Sequence, residues 1–209
     1  MPRLMANPNF REEQWSHRFD AHVAPINHLV DELTRSGDFA PYVAPMYGGV
    51  HARILSLLRD PGPMTRNGKG SGFLSMENDD RTAERLSNLF SSAAIDAAEI
   101  IPWNIFPWYI NRRPTTPELS RGLEPLRRLL DLTPRVSVVM LHGGSAQAGW
   151  RMFAKHNGGL LQRQGFHIVE TYHTSPQAFR HPDPAVREAR LRHLENSFFQ
   201  AARYLGIKR

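Results

Sequence analysis

Four short apolar runs separated by helix-forming stretches constrain this chain most. They are ARILSLL (52–58), the start of EIIPWNIFPWYI (99–110), RVSVVML (135–141) and FHIVET (166–171). The first three are almost continuously hydrophobic rather than alternating, which suits buried parallel strands, and FHIVET reads as a fourth strand. Between them lie helical patterns. RTAERLSNLFSSA follows Asp79-Asp80 and puts Leu86, Leu89 and Phe90 on one face. Residues 115–132 read as one helix with Thr116 as N-cap and Pro117 at its first position. AQAGWRMFAKHNGGLLQRQG is a helix that should break at Gly158-Gly159. A last helix is expected over 185–205, capped by Asp183, opened by Pro184 and turning Leu191, Leu194, Phe198 and Leu205 inward. Upstream, residues 10–36 have a helical period with Pro25 as a break. Strands alternating with helices predict an α/β fold with a parallel sheet covered on both sides. We expect a single domain over 1–209 with an N-terminal helical extension at 1–40.

In an open parallel sheet the ligand sits beyond the carboxyl ends of the strands. Here those ends carry Asp60, Asn104, His142 and His173. The chain has no cysteine, which removes disulfides, thiolate catalysis, iron–sulfur clusters and cysteine zinc sites together. It suits a reducing compartment, and a cytoplasmic location is the expectation. The formal charge of +6 is compatible with a polyanionic partner. No apolar run reaches the ~18 residues of a membrane span, and MPRLMANPNF has no apolar core of a secretion signal.

Other chemistries match less well. GPMTRNGKGS departs from a phosphate-binding loop: five residues, not four, separate Gly62 from Gly68, and glycine follows Lys69. HGGSAQ would be a nucleophile elbow around Ser145, but Gln147 replaces the second glycine. No histidine pair has the i, i+4 spacing and flanking glutamate of a zinc protease.

RDPGP (59–63), GFLS (72–75), PWN (102–104), LHGGSAQ (141–147) and HTSP (173–176), in that order, resemble the uracil-DNA glycosylase superfamily. The resemblance spans roughly residues 50–180 and implies a three-layer α/β/α sandwich around a central four-stranded parallel sheet. It implies that Asp60 is the carboxylate that stabilises an oxocarbenium-like sugar and orients water; the alternative is a turn cap before Pro-Gly. Asn104 would read the base, accepting from uracil N3–H and donating to O4, a pattern that cytosine inverts. His173 would donate to uracil O2 as charge builds there, with His181 as a competitor. Phe73, or Leu74 one residue along, would stack on the extruded base. Ser175, Pro176 and the backbone at Gly144-Ser145 would contact phosphates, and Arg59, Arg66 and Lys69 would add attraction to the DNA backbone.

Two positions depart from the family pattern. Gly62 stands where a tyrosine excludes the thymine methyl, and Gln177 stands where a leucine wedge fills the emptied stack. The four-cysteine branches are excluded by composition. The expectation is a monofunctional DNA glycosylase that removes uracil, with other deaminated bases left open. It acts on DNA containing uracil as a monomer, without metal or other cofactor. No lysine stands among the motif residues to form a Schiff base. Two alternatives stay open: a DNA- or base-binding protein that does not cleave, and a serine hydrolase using Ser145.

Overall fold

A computed structural model describes residues 3–207. The four apolar runs form strands β2 (Ile54–Leu58), β4 (Ile100–Asn104), β5 (Val138–His142) and β6 (His167–Thr171). They build one all-parallel sheet in the order β4-β2-β5-β6. The two inner strands are buried almost throughout, which is why their sequences do not alternate. β6 lies at an edge, and His167, Ile168 and Glu170 are exposed there.

Helices cover both faces, giving the three-layer α/β/α sandwich. Helix α3 (Arg81–Ser92) and the long α8 (Pro184–Tyr204) form one layer, joined by the edge-to-face contact of Phe90 and Phe198. Helices α2 (Ala24–Thr34), α4 (Thr116–Arg121), α5 (Leu123–Leu132) and α6 (Gly144–His156) form the other, with α7 (Gly158–Gln164) continuing from α6. Gly149 lets α6 approach closely, since a Cβ there would lie 2.1 Å from Ile105 Cγ1. Among the described residues no helix is long and apolar enough to cross a membrane.

Several local expectations need correction. Residues 115–132 form two helices, because the chain turns at Gly122, whose added Cβ would lie 1.8 Å from the Ile105 carbonyl oxygen. The N-cap is Thr115, not Thr116: its hydroxyl accepts from the Glu118 N–H and the Glu118 carboxylate accepts from the Thr115 N–H, a closed capping box. The 10–36 stretch does break as expected of Pro25, into α1 (Pro8–Ser16) and α2, with Pro25 in the first turn of the second. Leu191 is 37% exposed, not inward; Leu194 and Phe198 carry the buried face of α8.

A second, two-stranded parallel sheet was not legible as strands. It pairs β1 (Tyr42–Val43) with β3 (Phe73–Leu74). Asn27 of α2, fully buried, clamps it. The Asn27 amide donates to the carbonyls of Val43 (3.0 Å) and Arg18 (2.7 Å), while its oxygen accepts from the Val43 N–H (2.8 Å). Asn27→Leu would leave the buried Val43 N–H and carbonyl unpaired and remove a bond to the part-buried Arg18 carbonyl. It is expected to lower the unfolding free energy by about 2–4 kcal/mol in urea denaturation; a loss below about 0.5 kcal/mol would mean that the clamp contributes nothing.

Candidate active site

The carboxyl ends of the four strands open into a cavity of about 830 Å³. Leu58 is paired with Asn104, and the pairing continues past the strands: the Ile105 N–H donates to the Leu58 carbonyl and the Phe106 N–H to the Arg59 carbonyl. The loops carrying Asp60 and Asn104 therefore leave the sheet side by side. On the other flank His142 is paired with Thr171, and His173 follows two residues later. Asp60, Asn104, His142 and His173 all line this cavity.

The Asp60 side chain is 1% exposed. One carboxylate oxygen, Oδ1, accepts from the Arg59 guanidinium. The other, Oδ2, is buried and has no hydrogen-bond partner among the described residues. Burial raises the Asp60 pKa above the ordinary aspartate value and outweighs the opposing pull of Arg59. Asn104 is 3% exposed, and its amide nitrogen also lacks a partner. His142 Nδ1 is a third buried, unpartnered atom. Trp103, which also lines the cavity, has a fourth such atom in its indole Nε1, although strand alternation turns its side chain to the face opposite Asn104. Buried polar groups are almost always satisfied in folded proteins, so the orphans of Asp60, Asn104 and His142 on one cavity mark a place where a polar ligand completes the bonding.

His173 is held in one protonation pattern. Its Nδ1 accepts from the Ser175 N–H at 3.0 Å, so the ring hydrogen of the neutral imidazole sits on Nε2. Burial, with a further contribution from Arg59, pushes its pKa down to about 4, so the ring is neutral at pH 7. Gly143 makes room for it. It sits at φ +83°, and an added Cβ would lie 3.1 Å from His173 Cβ. His181 is elsewhere, at the approach to α8, where its Nδ1 accepts from the Asp183 N–H at 3.1 Å.

Of the remaining sequence candidates, Arg59, Gly62, Leu74, Gly144, Ser145, Ser175 and Gln177 line the cavity, while Phe73, Pro176 and Lys69 do not. Phe73 is fully buried against Trp15 and Tyr42, so the stacking role expected of it does not fit its position. Successive strand residues face opposite ways, and Leu74 is the one turned to the cavity. Pro176 opens the 3-10 turn Pro176–Phe179. Lys69 lines a separate depression with Arg11 and Trp15, and Arg66 packs on the Tyr109 ring at 4.9 Å. Ser145 is hydrogen-bonded to neither cavity imidazole: His173 Nδ1 is taken by Ser175, and His142 Nε2 by the Ser56 hydroxyl at 3.0 Å. A serine nucleophile needs a base in contact, and none is bonded here. Among the described residues no group of three or more potential metal ligands is gathered.

Two features escaped the sequence. Asn111 lines the Asp60 wall with its backbone at φ +53°, a conformation uncommon outside glycine. His142 is visible as a strand-end residue, but its link to Ser56 is not, because 86 positions separate the two.

Because the folded pKa of Asp60 lies above its unfolded value, its contribution to stability is full at low pH and is lost as pH rises through the folded pKa. Asp60→Asn removes the buried charge. It is therefore expected to raise the thermal midpoint at pH 7, by an amount that shrinks as pH falls towards the ordinary aspartate range. A variant less stable than the parent at pH 7 would contradict this.

A family model for the uracil DNA glycosylase superfamily matches residues 45–195, which include every cavity residue discussed above. No curated protein matches the chain. With its parallel sheet, its strand-end cavity and that match over most of its length, the chain belongs to the uracil DNA glycosylase superfamily.

Proposed function

We propose that this protein is a monofunctional DNA glycosylase that hydrolyses the N-glycosidic bond of uracil in DNA and leaves an abasic site. Membership of the superfamily supports glycosidic hydrolysis on DNA in base excision repair. The observation that carries the finer reading is one cavity lined by a buried, unpartnered carboxylate oxygen and amide nitrogen and by the part-buried His173, whose Nδ1 is engaged by Ser175 so that Nε2–H is left for a ligand.

The chemistry follows from those groups. As the C1′–N1 bond breaks, its electron pair passes to the base and positive charge grows on the sugar. Asp60 Oδ2 stabilises that charge, orients the water whose oxygen bonds to C1′ and takes the proton that water sheds; the departed uracil anion is protonated from solvent, which leaves the abasic sugar hydroxyl and neutral uracil. The Nε2–H of neutral His173 donates to uracil O2, where negative charge collects, and a single donor of this kind contributes about 10²–10³-fold to rate. Asn104 donates from Nδ2 to O4 and accepts from N3–H, so cytosine would leave both contacts mismatched. Leu74 offers the apolar surface beside the base. A Cβ at Gly62 would touch nothing within 4 Å, so the wall that a tyrosine would form is open and bases larger than uracil have space.

The N-terminus of α6 at Gly144-Ser145 has no side-chain cap, which leaves backbone N–H groups for a DNA phosphate. Ser175 and Gln177 lie on the same rim, where Gln177 can enter the gap left by the extruded nucleotide. Among the described residues no lysine lines the cavity, which supports hydrolysis without a Schiff base. The protein is proposed to act as a monomer in the cytoplasm.

An oligonucleotide containing one deoxyuridine, incubated with the protein and then treated with alkali, should be cut at that position. Asp60→Asn should reduce the single-turnover rate by at least about 100-fold. An uncut wild-type product, where a control enzyme cuts, would overturn the proposal; DNA retention without scission would favour a binding protein instead.

The pH dependence has a definite sign. Activity should rise with pH as Asp60 ionises, with a midpoint above the ordinary aspartate value of 3.8. With the His173 pKa at about 4, no inflection is expected near the ordinary histidine value of 6.5. A rate profile with its main inflection near 6.5 would show that His173 titrates as an exposed imidazole.

A further inference from the structure

We propose that His142 is an additional base-contacting residue, presenting an Nδ1–H donor to the cavity, and that Ser56 is the positioning residue that fixes this tautomer. The inference rests on the glycosylase reading and adds a specificity group to the same cavity.

The sheet register puts these residues together. Ser56 pairs with Pro102 and with Met140, and Met140 with Val169. Alternation then sets Asn104, Ser56, His142 and Thr171 on one face, the face towards α3 and α8. The ring contact of His142 with Phe198 of α8, centroids 5.9 Å apart, confirms the side. Asn104, His142 and Thr171 stand at the last step of β4, β5 and β6, at the cavity's edge, with Ser56 one step deeper. His142 is 1% exposed and Ser56 is fully buried.

The tautomer follows from hydrogen counting. The Ser56 hydroxyl has one hydrogen, and its one partner among the described residues is His142 Nε2 at 3.0 Å. If Nε2 carried the ring hydrogen, the serine hydrogen would have no acceptor and Nδ1 would be a bare, buried acceptor. With serine donating to Nε2, the serine is satisfied and the ring hydrogen moves to Nδ1. That Nδ1 has no partner. Burial, with His173 as a second influence, lowers the His142 pKa to about 3, so the ring is neutral and holds one hydrogen at pH 7. The cavity therefore offers three N–H donors, from Asn104, His173 and His142, to one flat ligand. Such a set suits a base rich in carbonyl acceptors and disfavours an amino-bearing base, whose N–H groups would meet donors.

The test uses the full chain, deoxyuridine oligonucleotide for rate and free uracil for binding. His142→Phe keeps the ring against Phe198 but removes the donor. It should lower the single-turnover rate and weaken uracil inhibition, each by about 5- to 100-fold. His142→Gln, which retains a donor, should recover part of both effects. Ser56→Ala leaves His142 Nε2 without its donor and so should reproduce a smaller loss of rate and of uracil inhibition, and should shift the imidazole spectrum away from a single Nδ1-protonated form, a readout that lost stability alone would not move. Long-range ¹H–¹⁵N spectra of the imidazole should show Nδ1 protonated in the free protein, with that signal shifting on addition of uracil. An Nε2-protonated ring, or a His142→Phe variant within twofold of wild type in both rate and uracil inhibition, would overturn the inference while leaving the glycosylase reading intact. A wild-type protein that cuts nothing removes the glycosylase reading instead. In that case the uracil titration of the His142 signal decides the base contact alone: a shift supports it and no shift refutes it.

Discussion

Parallel pairing on both sides of β2 holds the molecule and its site together. Hydrogen bonds tie β2 to β4 on one flank and to β5 on the other, so all three strands end at the same level. Because the strands are parallel, three residues distant in sequence arrive at one edge without any loop having to bridge them. The pairing of the Ile105 and Phe106 N–H groups with Leu58 and Arg59 extends this order beyond the sheet. It fixes where Asp60 begins its turn.

That edge is built at a cost to the fold. A carboxylate oxygen, an amide and an imidazole nitrogen are withdrawn from water without protein partners, each a loss of about 1–3 kcal/mol. The surrounding core is apolar and well filled, with Trp103, Phe90, Phe153 and Phe198 fully or almost fully buried, and can bear it. Rigid placement is what the expense yields. Arg59 holds one oxygen of Asp60, the Ser175 N–H orients His173, and the Ser56 hydroxyl orients His142. Each functional group is thus held by a neighbour that leaves one chosen atom free.

Much of this was readable in the chain. Apolar runs marked β2, β4 and β5, because strands covered on both faces must be hydrophobic throughout, whereas β6, half polar and partly exposed at the edge, was marked by its place between two helical stretches. Asp60, Asn104 and His173 were visible because they follow those runs directly. What failed to show depends on facing and distance. Phe73 and Leu74 are neighbours, and which one meets the cavity depends on the pairing of β3 with β1, a strand of only two residues. Lys69 and Arg59 looked equivalent as loop cations, yet one lines a different depression and the other is engaged by Asp60. The helix start at Thr115 rather than Thr116 turned on which hydroxyl faced the Glu118 N–H, a matter of one residue's backbone angle.

Hydrophobic periodicity is local, and it alone determined that this chain makes a parallel α/β sheet with a carboxylate, an amide and imidazoles after its strands. Only the tertiary structure decided which atoms of those groups stay unpaired. A hydrogen-bond partner can lie anywhere in the chain, as Ser56 lies 86 residues from His142, and a linear pattern has no record of that distance.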